Sequence, residues 1–334
     1  MKDFKGKIAF ITGGASGAGL GQAKVFSKAG MKVVIADVRL DALHNAVSEI
    51  VEFSGCAVCD VLPLCFDLTN RAEYTNAADA VEKVFGGPPH LLIQTAGVNS
   101  FGPIEASTFD DFDWVMGVDL DHVVNGLLIF VPRMIKAYGG TNGIPKEEFH
   151  VAATSSNAAF RAGPGTGPYS AAKAAVNNLM YSYAAALTPY GGGSTVLNPA
   201  NINSNIGNAE KHRPENLRNT GYHVSEGTMA HLSSIHAGGI DPVELAEYLK
   251  EGIENGRIIV MPFGAPDEWL EMLRGHHAIV EDYILTKDER EKKVKDRPAG
   301  GPPRVGFTVP EGAEPFGGAR KDLDYIDPSR NPKF

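Results

Sequence analysis

One pattern narrows the fold of this chain more than any other: short, continuously apolar runs alternate with helical periodicity from residue 7 to residue 261. The runs fall at 7–11, 32–36, 62–66, 91–95, 149–155, 194–197 and 257–261. The helical stretches fall at 18–29, 40–53, 71–84, 109–138, 169–187 and 242–255. Strands that are apolar at every position are buried on both faces, which requires a parallel sheet with helices packed above and below it. Right-handed crossovers then give an α/β, doubly wound architecture. Residues 139–148 read as a surface insertion, and residues 1–265 as one domain.

After that domain the pattern fades. Residues 266–296 read as a helical or charged extension, and 297–334 as a Pro- and Gly-rich tail. Seven prolines, from Pro298 to Pro332, forbid a long helix or a central strand there. Yet the tail carries Val305, Phe307, Val309, Phe316, Tyr325 and Ile326, so it is expected to run extended over its own or a neighbouring subunit.

The 334 residues carry a formal charge of -9, which leaves no basic footprint for nucleic acid or an anionic membrane. A small-molecule substrate is the expected partner. No run reaches the roughly 20 uninterrupted apolar residues of a membrane span, and the first residues hold too short an apolar run for a secretory signal. A cytoplasmic location is expected. Cys56, Cys59 and Cys65 lie close together, with no further Cys or His pair to complete a metal site, and read as small hydrophobes near a strand.

Between the first run and the first helix the chain reads Thr12-Gly-Gly-Ala-Ser-Gly-Ala-Gly19. Gly13, Gly17 and Gly19 lack the Cβ that would keep a pyrophosphate from the backbone and the helix N-terminus. A structural loop could hold the same glycines, but strand and helix flank them as a dinucleotide requires. Asp37 closes the second run, where a carboxylate would accept hydrogen bonds from ribose hydroxyls and repel a 2′-phosphate. No basic residue stands at Ser16 or Val38, although Arg39 is close; NAD is expected over NADP.

A second constellation follows the fifth run. Ser156 stands at its carboxyl end, and Tyr169 and Lys173, four apart, share one helix face. A neighbouring ammonium favours the phenolate and makes tyrosine a usable proton carrier. Ser156 could hydrogen-bond the substrate oxygen beside it. Singly, each residue also suits an ordinary structural role.

Together, Thr12-Gly-x-x-x-Gly17-x-Gly19, Asp37, Asp67-Leu-Thr, Ala96-Gly97, Ser156 and Tyr169-x-x-x-Lys173 resemble the classical short-chain dehydrogenases/reductases over residues 7–262. The resemblance implies a Rossmann fold with a seven-stranded parallel sheet, a nicotinamide cofactor, and hydride transfer between alcohol and ketone. It implies that Ser156 orients the carbonyl, Tyr169 exchanges the proton, and Lys173 also binds the nicotinamide ribose. Ser16 and Ala18 would join the glycines around the cofactor, Asp67 and Leu68 would border the adenine, and Ala96 and Gly97 the adjoining ribose. Pro199, Ile202 and Ser204 match the loop that holds the carboxamide. A homodimer or homotetramer built on helices 111–138 and 169–187 is implied as well. Within the family the chain looks most like the bacterial Cα-dehydrogenases that oxidise benzylic alcohols of lignin aryl ethers.

Two positions depart from the family pattern. Gln94-Thr95 replaces a pair of asparagines, and Asp119 stands where the family has an asparagine that anchors a water in the proton relay. Asp119, a candidate catalytic residue, can still accept hydrogen bonds but adds a charge near Lys173 and changes the relay's proton count, and is either a benign change or one that alters or abolishes redox activity. The leading expectation is an NAD(H)-dependent oxidoreductase that interconverts a secondary alcohol and a ketone on a bulky, aromatic molecule. Residues 205–239 would be the substrate lid, with Met229, Leu232 and Ile235 beside His223, His231 and His236. The alternatives are a non-redox isomerisation, elimination or cyclisation that retains the cofactor, and a sensor of nicotinamide redox state.

Overall fold

All five residues of strand β1, Ile8–Thr12, are buried, as a strand covered on both faces must be. It is an interior strand of a seven-stranded parallel sheet with β2 (Lys32–Asp37), β3 (Val61–Cys65), β4 (Leu91–Gln94), β5 (His150–Thr154), β6 (Gly193–Leu197) and β7 (Ile259–Val260). The order is β3-β2-β1-β4-β5-β6-β7, so the chain builds outward one way and then restarts on the other side of β1. Thr12 is in register with Ala36 on one side and Gln94 on the other. The crevice beyond the carboxyl ends of β1 and β4 is where such a sheet takes a ligand.

The computed structural model describes residues 1–160, 163, 165–218 and 224–262. All belong to the first of two units, Met1–Leu273 and Arg274–Phe334. The expected extension at 266–296 and tail at 297–334 lie outside the described residues, as does His223.

Eight helices occur among the described residues: α1 (Gly17–Lys28), α2 (Leu40–Ser54), α3 (Arg71–Phe85), α4 (Phe109–Met116), α5 (His122–Tyr138), α6 (Gly167–Leu187), α7 (Glu226–Ala237) and α8 (Pro242–Glu254). Alternate strand residues face opposite layers. Ala9, Ile11, Val33 and Ile35 pack with Phe26 of α1, Leu43 of α2 and Leu249 of α8. Phe10, Val34, Leu92 and Val151 pack with Tyr74 of α3, Phe130 of α5 and Met180 of α6. Each large side chain fully buried in this way contributes about 1.5–3 kcal/mol.

The strands and helices match the sequence expectation to within a residue or two, except at three places. The run 109–138 is not one α-helix: a π-helical turn, Gly117–Asp121, separates α4 from α5, and His122 N–H donates to Gly117 O. By length and composition that run could cross a bilayer, but 56% of its most apolar window is buried, as in a core helix. Helix α7 carries no clear apolar stripe, has no fully buried residue, and was not legible as a helix. Finally, Cys59 and Cys65 are exposed around β3 instead of packing as hydrophobes.

Candidate active site

Every candidate catalytic and cofactor-binding residue from the sequence except Asp119 lines one cleft of about 450 Å³ beyond the carboxyl ends of the strands, whereas Met229, Leu232 and Ile235 of the expected lid do not. At one end the loops after β1 and β4 touch backbone to backbone. Gly13 has φ +65°, and a Cβ there would stand 2.9 Å from Ala96 Cα, so only glycine closes this turn without displacing the β4 loop. The loop after β6 lies over the same turn: a Cβ on Gly17 would come 3.1 Å from Ser204 Cβ.

The rim is fixed by a chain of fully used polar groups. Thr12 Oγ1 accepts from Thr95 N (2.8 Å) and Ala96 N (3.2 Å) and pairs with His122 Nε2 at 3.3 Å. The other ring nitrogen, Nδ1, bonds the Val118 carbonyl in the π-helical turn. Nδ1 must therefore carry the proton, and Nε2 accepts from Thr12. Thr95 Oγ1 donates to Gln22 Oε1 at 2.6 Å, and Gln94 Nε2 to Val123 O at 2.8 Å. The departure at Gln94-Thr95 thus ties β4 to α1 and α5.

At the β2 end, Arg39 grips Asp37 with two bonds, Nε to Oδ1 and Nη2 to Oδ2, each 3.0 Å, and also donates from Nη2 to Ser16 Oγ at 2.8 Å. The hydrogen bond to Asp37 is the largest cause holding the Arg39 pKa above its ordinary value. Asp67 is exposed and caps its own turn through Thr69, while Leu68 beside it is buried.

At the other end, α6 presents Tyr169 and Lys173 one turn apart. Lys173 Nζ lies 5.4 Å from the Tyr169 ring centre, donates to Thr154 O at 3.3 Å, and meets Asp119 Oδ1 at 2.8 Å. Asp119 is fully buried, and its Oδ2 accepts from Val98 N at 3.1 Å. Burial lowers the Lys173 pKa, but the charges of Asp119 and Tyr169 more than reverse this and hold the ammonium. Burial also raises the Tyr169 pKa; Lys173 opposes the rise, Asp119 adds to it, and a hydrogen bond from Ser156 opposes it again. Asp119 does not line the cleft. It lies beneath Gly97, where a Cβ would stand 2.7 Å from Asp119 Oδ1 and 3.2 Å from Lys173 Nζ.

Beyond Tyr169 the walls turn apolar, with Phe101, Trp114, Val118, Ile206, Ala209 and Pro214, and with His212 and His236 among them. His231 is exposed and takes no part in the lining. The sequence reading missed Trp114, Asp111 and Arg213. Arg213 stacks on Trp114 at 4.6 Å and pairs with Asp111, 102 residues away, which no local pattern reveals.

A dinucleotide fits this cleft: the glycine turn lines it at the N-terminus of α1, where backbone N–H groups suit a pyrophosphate, and one end offers a carboxylate while the other offers an ammonium and a phenol. Residues 7–215 match the family model described as short chain dehydrogenase. The C alpha-dehydrogenase of Sphingobium sp. (strain NBRC 103272 / SYK-6) is 49% identical over 297 residues, 89% of this chain and 92% of that protein. Among solved structures, the apo form of LigD from Sphingobium sp. strain SYK-6 is 42% identical with a TM-score of 0.67, covering 85% of this chain and all of that one. A short chain dehydrogenase/reductase from Burkholderia phymatum in complex with NAD is 30% identical with a TM-score of 0.75, covering 85% of this chain and 98% of that one. The chain belongs to the short-chain dehydrogenase/reductase family, oxidoreductases that act on CH–OH groups with a nicotinamide cofactor.

Proposed function

We propose that the protein uses NAD to oxidise a bulky, aromatic secondary alcohol to its ketone, and runs the reverse reaction with NADH. The observation that carries this reading is the place of Ser156, Tyr169 and Lys173, where the glycine-turn half of the cleft gives way to the apolar wall of Phe101, Trp114 and Ile206. The similarity to a C alpha-dehydrogenase supports the same substrate class.

When bound, the nicotinamide supplies the hydride acceptor. The chain's own residues handle the oxygen and its proton. Ser156 Oγ holds the substrate oxygen, and Tyr169 as phenolate takes the hydroxyl proton. The Lys173 ammonium stabilises that phenolate and also serves the ribose of the nicotinamide. Asp37 would accept from the adenosine ribose, Asp67 and Leu68 would border the adenine, Ala96 and Gly97 the adjoining ribose, and Pro199, Ile202 and Ser204 would hold the carboxamide. NAD is preferred over NADP because Asp37 repels a 2′-phosphate, and Arg39 moderates that repulsion.

The described residues within 205–239, 205–218 and 224–239, would cover the substrate, a role supported by Ile206, Ala209, His212 and His236 in the cleft wall. Assembly as a homodimer or homotetramer through α4, α5 and α6 is supported by exposed Phe112 and Leu128 on these helices. The test is a panel of aryl secondary alcohols and ketones offered with NAD or NADH. Reduced cofactor should form with the alcohols and be consumed with the ketones; a panel with no turnover in either direction would remove the substrate class.

A further inference from the structure

Asp119 has both carboxylate oxygens engaged, one by the Lys173 ammonium at 2.8 Å and the other by Val98 N–H at 3.1 Å. Burying a carboxylate completely is costly, and burial raises the Asp119 pKa above its ordinary value, while the Lys173 ammonium and the Val98 N–H oppose that rise. The compensation is mutual. The ammonium beneath Gly97 is cancelled by a charge that does not itself reach the cleft.

An uncancelled cation at this point repels the oxidised nicotinamide ring, which is cationic, and leaves the neutral reduced ring unaffected. We propose that Asp119 is a positioning residue that biases the site toward the oxidised cofactor, and so toward alcohol oxidation, by cancelling the charge of Lys173. The proposal rests on the reading of Tyr169 and Lys173 as the nicotinamide end of the cleft. It carries a second consequence for Tyr169, whose phenolate the Asp119 charge disfavours. The other titratable groups facing this cluster are His122, held neutral at the start of α5, and His212 and His236 across the cleft. Asp37, Arg39 and Asp67 stand on the β2–β3 side.

The test is calorimetric titration of the full-length protein with NAD and separately with NADH, in the wild type and in Asp119→Asn. The isosteric amide removes the charge and can still accept from Val98. The ratio of NAD affinity to NADH affinity should fall about tenfold in the variant. The rising limb of the alcohol-oxidation rate against pH should move to lower pH, because the phenolate forms more easily. Asp119→Ser, smaller and also uncharged, should change the ratio in the same direction if the amide variant does not fold. A parallel fall of both affinities would mark a purely structural role and overturn the proposal, as would an unchanged ratio. Failure of the wild type to bind either nucleotide would overturn the reading of the site itself, and the proposal with it.

Discussion

Arg213 Nη2 stands 2.5 Å from Asp111 Oδ1, and both side chains are almost completely buried. The same carboxylate caps α4, its Oδ2 accepting from Thr108 N at 2.8 Å and Thr108 Oγ1 at 3.1 Å. One aspartate therefore starts the helix that carries Trp114 and anchors the loop that carries Ala209, His212 and Pro214 over the cleft. Removing one member of a buried pair leaves the other uncompensated, at a cost of about 3–5 kcal/mol. Arg213→Met should lose stability on that scale in chemical denaturation. In the folded fraction it should raise KM for a bulky alcohol more than it lowers kcat, because the loop shapes the wall and does not touch the proton relay.

Tyr169→Phe removes only the hydroxyl. Turnover should fall roughly 100- to 10,000-fold, the range for loss of a general acid or base, while NAD affinity stays nearly unchanged. Lys173→Ala should weaken both, because one ammonium serves the phenol and the ribose; an unchanged cofactor affinity would count against that double role.

The grip of Arg39 on Asp37 makes the two residues opposed levers on cofactor choice. Asp37→Ala should weaken NAD and improve NADP, since it removes the ribose acceptor and releases a guanidinium toward the 2′ position. Arg39→Ala should sharpen the preference for NAD. Titration with both nucleotides checks each variant, and a wild type that already prefers NADP would refute the role given to Asp37.

His122 and His150 are both buried and neutral, and burial pushes each pKa down from 6.5 to about 3. Below pH 6.5 the unfolded chain binds protons at both sites and the folded chain does not, so stability falls as pH drops from 6.5 toward 3. Each ring adds up to about 1.4 kcal/mol per pH unit in that window. His150 Nε2 donates to Thr195 Oγ1 at 2.8 Å, a bond the amide of a glutamine can replace. His150→Gln should therefore flatten the decline in melting temperature through that range.

The alternation of apolar runs and helical stretches made the sheet legible, because a strand covered on both faces leaves an unbroken hydrophobic signature. The cleft was legible for a related reason: Gly13, Gly17 and Ser156 follow strand ends and Asp37 closes one, where backbone constraint and chemistry coincide, and the spacing of Tyr169 and Lys173 puts both on one face of α6. Long-range pairing left no such trace. Arg213 and Asp111 meet across 102 residues, and the π-helical turn arises inside a run whose helical periodicity hides it. Asp119 stood out as a departure at a motif position that adds a charge near Lys173; the direct ion pair between them, and the π-helical turn that carries the carboxylate, did not.

Hydride transfer itself can be followed with deuterium on the carbinol carbon of an aryl secondary alcohol, offered to the full-length protein with NAD. Mass spectrometry of the recovered nicotinamide should find one deuterium in NADH for each ketone formed, and Tyr169→Phe should lower both products together. Conversion of the alcohol to an isomer, an alkene or a cyclised product with the NAD unlabelled and still oxidised would contradict the assignment of Ser156, Tyr169 and Lys173 to alcohol oxidation.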